Sequence, residues 1–438
     1  MFPDIPAPAL GVLTQLHNAG FAAYVVGGCV RDSLLGRVPG DWDITTAARP
    51  QQVHEALPGL TVLDTGLQHG TVTAVAEDLR LEITTFRTEG TYSDHRRPDS
   101  VTFANTVEED LSRRDFTVNA MAYSPMTGLV DPFDGQADLK AGILRAVGDP
   151  QKRFDEDALR ILRGLRFAAR LGFALEADTA AAMHRQKHLL SALAQERIRA
   201  ELLPILCAPH GVEVLRQHRD IFAVILPEIA PMFDFDQQNM HHQYDVWEHT
   251  LHTLEHVAPQ PDLRLAMLLH DCAKPARFTV DFRGDGHFYG HAARGALIAR
   301  QALERLRCSQ ALTQRVVRLI HYHDHDILPS RRSLLRWLGT IGEADLRDLL
   351  YIKIADNLAQ HPKYLRVERF QQTLALLDAL LAEQPCFDRG SLALKGGDLV
   401  ALGYTGPAVG QALDRLVNAV IDGAVDNERC ALLRFLQT

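Results

Sequence analysis

The stretch Val25–Ile44, VVGGCVRDSLLGRVPGDWDI, decides how the front of this chain folds. The apolar run Phe21–Val26 reads as a buried strand. It ends on Gly27 and Gly28, where bare backbone N–H groups can approach a triphosphate closely. A short helix carrying Arg31 and Asp32 follows, then a turn, then Asp41-Trp42-Asp43-Ile44. Residues two apart in a strand share a face, so Asp41 and Asp43 present paired carboxylates. Such a pair facing a cleft suits Mg²⁺ ions that activate an attacking hydroxyl and neutralise a departing pyrophosphate. Alone, Asp-x-Asp is usually a polar strand edge and Gly-Gly only a turn. Their order and spacing carry the argument.

Outward from this stretch, Arg80–Phe86 (RLEITTF) is β-branched and alternating, which predicts a second strand with Glu82 as a third carboxylate. The region to about residue 145 reads as a small α/β domain, closed by a turn at Asp131–Gly135 (DPFDG). From about Asp155 the pattern is almost wholly helical. In Ala158–Arg170, Ile161, Leu162, Leu165 and Ala169 fall on one side and Arg160, Arg163, Arg166 and Arg170 on the other. For an isolated amphipathic helix that arginine stripe is by default a solvated face. No internal repeat or low-complexity tract is evident.

The bulk properties bound the answer. A chain of 438 residues exceeds one ordinary core and implies two to four domains. With 46% hydrophobic and 23% charged residues it reads as soluble and globular. The N-terminus MFPDIPAPAL has no signal-peptide pattern, and no apolar run approaches the roughly 20 residues of a membrane span. Six scattered cysteines without a CxxC pair fit a reduced, cytoplasmic setting. The net charge of −9 argues mildly against a nucleic-acid partner, but binding depends on where charges lie rather than on their sum. Of the 20 histidines, many crowd between His241 and His325, which points to metal or acid–base chemistry there.

Gly27–Ile44 meets every fixed position of GGxVRDxLLGRxxxDxDI, and the chain here resembles the class II tRNA nucleotidyltransferase/poly(A) polymerase family. Arg113–Ala120 (RRDFTVNA) and Glu156–Arg160 (EDALR) match two further blocks of that family in the right order. The resemblance implies that Asp41, Asp43 and Glu82 are catalytic, with Asp41 and Asp43 holding Mg²⁺. It also implies that Gly28, Arg31, Arg114, Asp115, Asn119, Asp157, Arg160, Arg163 and Arg166 bind the nucleotide. In this family the Asp of RRDFT selects ribose through the 2′-hydroxyl. On one helix, Asp157 and Arg160 would be neighbours, able to read the amine edge of C or A and reject G and U. The bland alternative is an ordinary helix salt bridge. Glu89–Phe103, with Arg96 and Arg97, resembles the loop that switches from C to A addition. The arginine stripe then becomes a track for the tRNA acceptor end. Gln195–Arg199 (QERIR) resembles a later, less specific family helix.

A second set, His249, His270, Asp271, His291, His321 and Asp356, with Lys274 after the His-Asp pair, resembles HD-superfamily phosphohydrolases. The resemblance implies a divalent transition metal held by His249, His270, Asp271 and Asp356, with His291 and His321 as additional ligands or phosphate contacts. His252, His256, His287, His323 and His325 lie close enough to confuse that ligand set, and an HD fold kept only as a structural body is the alternative. The expected architecture is an α+β nucleotidyltransferase head with a mixed sheet (1–145), an all-α neck (146–235), an HD helical domain (236–363) and a helical tail (364–438). The expected activity is addition of CCA to tRNA from CTP and ATP, with HD-domain phosphohydrolysis besides. A CC-only or A-only enzyme, a poly(A) polymerase, or a phosphohydrolase with an RNA-binding front domain are the rivals.

Overall fold

The computed structural model describes residues 4–89 and 101–437, so the expected switching loop, with Arg96 and Arg97, lies almost wholly outside the described residues. The chain divides into two compact units, Met1–Pro227 and Glu228–Thr438. Among the described residues, no helix is long and apolar enough to cross a membrane.

The first unit is built on β1 (Ala23–Val26), β2 (Asp43–Thr46), β3 (Thr61–Gly66), β4 (Thr71–Ala76), β5 (Leu79–Thr85), a separate pair β6 (Arg87–Glu89) and β7 (Val101–Phe103), then β8 (Ala122–Ser124) and β9 (Gly128–Val130). Seven of these form one sheet in the order β3-β4-β5-β2-β1-β8-β9. β2 and β5 run parallel and every other neighbouring pair is antiparallel, so the sheet is mixed, as expected. Both strands read from the sequence are present: β1 is buried throughout, and β5 alternates in burial, with Leu81, Ile83 and Thr85 inward and Glu82 outward. Full burial of an aliphatic side chain such as Val25 contributes about 1.5–3 kcal/mol. The N-terminal helix Ala7–Asn18 packs on β1, β4 and β5 through Val12, Leu13 and Leu16. Another cluster joins Tyr24, Val26 and Phe86 to Val107 and Leu111 of the helix Val107–Ser112.

Helices from Pro150 to Ile225 complete this unit, so the head and the neck pack as one body. The backbone ties them: Phe116 bridges to Ala146, Thr117 N donates to Arg145 O at 2.9 Å, and Val147 N donates to Asp115 O at 3.1 Å. The central helix Leu159–Leu171 is far more enclosed than a surface helix. Besides its apolar face, Arg160 and Phe167 are buried. Gly164 permits this, because a Cβ there would stand 2.3 Å from Met183 Cε and 2.8 Å from Phe116 Cζ. The helix stops at Gly172, whose φ of 75° is left-handed and suited to glycine.

The second unit is a helical bundle interrupted by a small hairpin, Thr279–Val280 with Gly286–His287. Its long helix Arg331–Leu358 breaks at Gly342 (φ 79, ψ 169) and packs against Val246–Glu255 and Val367–Ala382. The last segments, Gly396–Ala401, Pro407–Ile421 and Arg429–Leu436, are helical, as expected of the tail.

Candidate active site

A cleft of ≈ 540 Å³ in the first unit gathers residues from the three sequence blocks: Gly27, Gly28, Arg31 and Asp43, then Arg113, Arg114, Asp115 and Asn119, then Asp157, Arg160 and Arg163. Gly27 takes φ 78, and a Cβ there would meet Arg114 Nη1 at 2.9 Å, so only glycine leaves the arginine its place. Burial along Asp41–Ile44 runs exposed, buried, exposed, buried. Trp42 and Ile44 are thus the inward anchors that turn both carboxylates outward, although β2 itself begins only at Asp43. Asp43 pairs in register with Glu82 of β5, which puts Glu82 on the same face. Although Asp43 is open to solvent on one side, desolvation by the atoms packed around it, then the charges of Glu82 and Asp41, raise its pKa against the opposing pull of Arg114. Of the three, only Asp43 lines the cleft, and among the described residues they do not form a group whose ligand atoms close within 4.8 Å; facing carboxylates with oxygen donors alone are nevertheless of the type that a hard divalent cation takes.

Behind them runs a chain of hydrogen bonds. Arg31, buried, donates to Asp32 Oδ1 at 2.8 Å and to Asn119 Oδ1 at 2.6 Å. Asn119 Nδ2 donates to Asp115 Oδ1 at 3.1 Å, and Arg163 Nε donates to Asp115 Oδ2 at 2.8 Å. Burial opposes ionisation of Asp115, but the charge of Arg163 and the bonds from Asn119 and Arg163 outweigh it and hold the pKa at about 2. Asp115 is therefore a fixed anionic acceptor. Arg114 lines the cleft with its Nη2 3.4 Å from Asp110 Oδ2, and its Nε is buried without a hydrogen-bond partner.

Three expectations need correction here. Asp157 and Arg160 do not share a helix. Asp157 is extended (φ −139, ψ 103) at the break between Pro150–Glu156 and Leu159–Leu171, where its Oδ1 accepts from Leu159 N at 3.0 Å. Arg160 instead donates to Glu156 Oε2 at 2.8 Å and to Arg113 O at 3.0 Å, while Arg197 donates to Asp157 Oδ2 at 3.0 Å. Both side chains still line the cleft. Secondly, Arg166 is not among the cleft-lining residues. It is bound to Glu201 at 2.5 Å and lies 4.7 Å over the Phe167 ring. Thirdly, the arginine stripe is not a uniform track, because Arg163 is taken by Asp115 and Arg170 stands 3.7 Å from Asp32. Sequence reasoning missed Phe167 and Arg197 as cleft residues; QERIR was the one signal for the latter.

The second unit holds a buried centre. His249 Nε2 lies 2.9 Å from Asp356 Oδ1, His270 Nε2 3.2 Å from Asp271 Oδ2, and His291 Nε2 3.4 Å from Asp271 Oδ1. Two ligand triples, His249/His270/Asp271 and Asp271/His291/His323, each close within 4.8 Å and share Asp271. Each imidazole directs Nδ1 to a backbone carbonyl: His249 to Ala359, His270 to Met267, His291 to Phe288 and His323 to Ile320. That makes Nδ1 a donor in each ring and turns every Nε2 inward. Both Asp271 oxygens and His270 Nε2 are buried without a hydrogen bond of good geometry, although Lys274 Nζ stands 2.7 Å from Asp271 Oδ2. Although burial lowers it, His270 is raised to about 10 by Asp271 and Asp356, so the centre favours positive charge. These residues fit a metal ion.

His321 does not join them. It precedes His323 by two residues, about 200° around a helix, and faces a groove with Leu297, Arg300 and Tyr322. His323 supplies the ligand position instead, with burial and then the charge of His270 lowering its pKa to about 3.

Residues 23–145 match the family "Poly A polymerase head domain", 172–233 match "Probable RNA and SrmB- binding site of polymerase A", and 246–360 match "HD domain". The CCA-adding enzyme of Limosilactobacillus fermentum is 34% identical over 437 residues, covering 98% of this chain and 95% of that enzyme. The CCA-adding enzyme of Ligilactobacillus salivarius is 42% identical over 253 residues, a match that spans 56% of this chain and only 62% of that enzyme. The crystal structure of the Bacillus stearothermophilus CCA-adding enzyme in complex with CTP superposes with a TM-score of 0.70 at 28% identity, over 99% of this chain and 98% of that one.

Proposed function

The chain belongs to the CCA-adding enzyme family, and from that premise we propose that it extends the 3′ end of tRNA with C, C and A, using CTP and ATP and releasing pyrophosphate. The observation that carries this reading is one cleft holding Asp43, Arg114, the ionised Asp115, and the Asp157 and Arg160 side chains together.

Asp41, Asp43 and Glu82 would hold Mg²⁺, which would supply polarisation of the 3′-hydroxyl and charge neutralisation at the pyrophosphate. Gly27 and Gly28 let the triphosphate come close to the backbone, and Arg114 pairs with its oxygens. Asp115, held ionised by Asn119 and Arg163, accepts from the ribose 2′-hydroxyl. Asp157 accepts from the exocyclic amine of C or A, and Arg160 donates to the adjacent ring position. G and U present a carbonyl in place of that amine, so two acceptors would face each other. Protein side chains thereby replace a template. Positioning and charge stabilisation supply most of the rate.

The second centre supports a metal-dependent phosphohydrolase reading, with His249, His270, Asp271, His291, His323 and Asp356 holding a divalent transition metal that would supply an activated water. The test separates the two units. Asp41→Ala should abolish incorporation of labelled CTP and ATP while leaving metal content and hydrolysis of a generic phosphoester intact. Incorporation at the normal rate would sink the assigned metal site.

A further inference from the structure

The hydrogen-bond chain behind the cleft, Arg31–Asn119–Asp115–Arg163, begins and ends on a cation. Its two ends come from separate elements, Arg31 from the short helix Gly28–Leu34 and Arg163 from the helix Leu159–Leu171. Arg31 is steadied by Asp32, whereas Arg163 hydrogen-bonds, among the described residues, to Asp115 alone. Both ends nevertheless converge on one aromatic ring. The centroid of Phe167 lies 5.2 Å from Arg31 Cζ and 5.5 Å from Arg163 Cζ, with Arg166 Cζ at 4.7 Å. Guanidiniums gathered this closely repel one another, and the negative face of an aromatic ring offsets that repulsion. The ring is itself fixed. It is 6% exposed and meets Phe116 edge-on, with centroids 6.0 Å apart and planes at 80°. Phe116 in turn donates its backbone N–H to Asp115 Oδ1 at 2.9 Å, so the ring's support and the carboxylate belong to one segment.

We propose that Phe167 is a positioning residue for ribose recognition: its ring seats the Arg31 and Arg163 guanidiniums at the two ends of the chain, and so sets the direction in which Asp115 meets the 2′-hydroxyl. This rests on the assignment of the ribose contact to Asp115. A leucine at 167 fills much of the same volume but offers a cation no attraction. Arg163, whose side chain is already 36% exposed, then turns toward water, and the Asp115 oxygen bonded to it turns as well. Asp115 stays ionised through its other partners, but a hydrogen bond weakens steeply once its angle is lost. The loss falls on ribonucleotides alone, because a deoxyribonucleotide never makes the contact.

The test is the ratio of kcat/KM for CTP over dCTP, and for ATP over dATP, on tRNA transcripts ending in the discriminator base and in CC. Tripolyphosphate inhibition is measured alongside as a report on the phosphate site at Gly27, Gly28 and Arg114. Phe167→Leu should lower both ratios about tenfold, equivalent to about 1.4 kcal/mol, with dCTP kinetics and tripolyphosphate inhibition unchanged. Phe167→Tyr keeps the aromatic face and should keep the ratios. Replacing Phe167 by phenylalanines with one, two and three ring fluorines preserves the shape while weakening the face, so the ratios should fall stepwise. A flat fluorine series would overturn the proposal, because a ring acting only by its volume ignores its electronics. Unchanged ratios in Phe167→Leu would overturn it as well, and so would a parallel loss of tripolyphosphate affinity, the mark of a general loosening. Asp115→Asn separates the two layers. If it leaves the ratios intact, the ribose assignment fails and the role of Phe167 with it. If Asp115→Asn loses discrimination and Phe167→Leu does not, Phe167 alone is misassigned.

Discussion

Replacing Asp115 by Asn tests whether the hydrogen-bond chain behind the cleft is built around an ionised carboxylate. Asp115 is 7% exposed and accepts from Phe116 N at 2.9 Å, Asn119 Nδ2 at 3.1 Å and Arg163 Nη2 at 2.6 Å. Its pKa is held at about 2 against an ordinary 3.8. At about 1.4 kcal/mol per unit, that difference corresponds to roughly 2–3 kcal/mol of stability at neutral pH. Asn removes the charge and turns a donor toward Arg163. That arginine's side chain is 36% exposed, so water partly rescues it and the loss stays below the 3–5 kcal/mol typical of a broken buried pair. A local cost of about 2 kcal/mol should speed hydrogen exchange of the amides 116–121 about thirtyfold at pH 7. Because the folded pKa is depressed, this stabilisation is complete above the unfolded pKa and fades as pH falls through about 2. The difference between wild type and variant should therefore shrink from pH 4 downward. Equal exchange rates at pH 7, or a difference that ignores pH across that window, would refute the reasoning. Discrimination between ribo- and deoxyribonucleotides should fall in the same variant.

Other perturbations probe single contacts. Gly27→Ala adds a Cβ 2.9 Å from Arg114 Nη1 at a φ of 78, so CTP affinity should drop at least tenfold, and an unchanged affinity would contradict the assigned phosphate site. Gly164→Ala gains about 1 kcal/mol of helix propensity, but crowding Phe116 and Met183 costs about 1–3 kcal/mol. Urea unfolding should show a net loss, whereas a stabilised variant would show that the packing yields. His323→Ala should strip metal from the second unit, and His321→Ala should not; elemental analysis of the purified proteins reads both.

Much of the front unit was legible because local pattern and chemistry coincide there. The buried β1, the glycine pair and the alternation around Trp42 each follow from short-range rules, and the register of β2 with β5 then brings Glu82 beside Asp43. The departures arise where long-range partners or helix ends decide. EDALR reads as continuous helix by spacing, yet Asp157 behaves as a capping residue, a role for which Asp is well suited. Its carboxylate on Leu159 N restarts the helix and sends Arg160 to Glu156. Glu201 captures Arg166 from thirty-five residues away, which no periodicity reveals. In the His-Tyr-His run, the choice of His323 over His321 depends on where the helix Gln310–Tyr322 faces the bundle, and spacing alone cannot supply that.

The central claim is ordered, template-free addition in the first unit's cleft. Labelled CTP and ATP, offered with Mg²⁺ to tRNA transcripts ending in the discriminator base, in C and in CC, test it most directly. The account expects all three to be completed to CCA and then to arrest. Addition of A only to the CC-ending transcript, addition of CC without A, or long A tails would each contradict it.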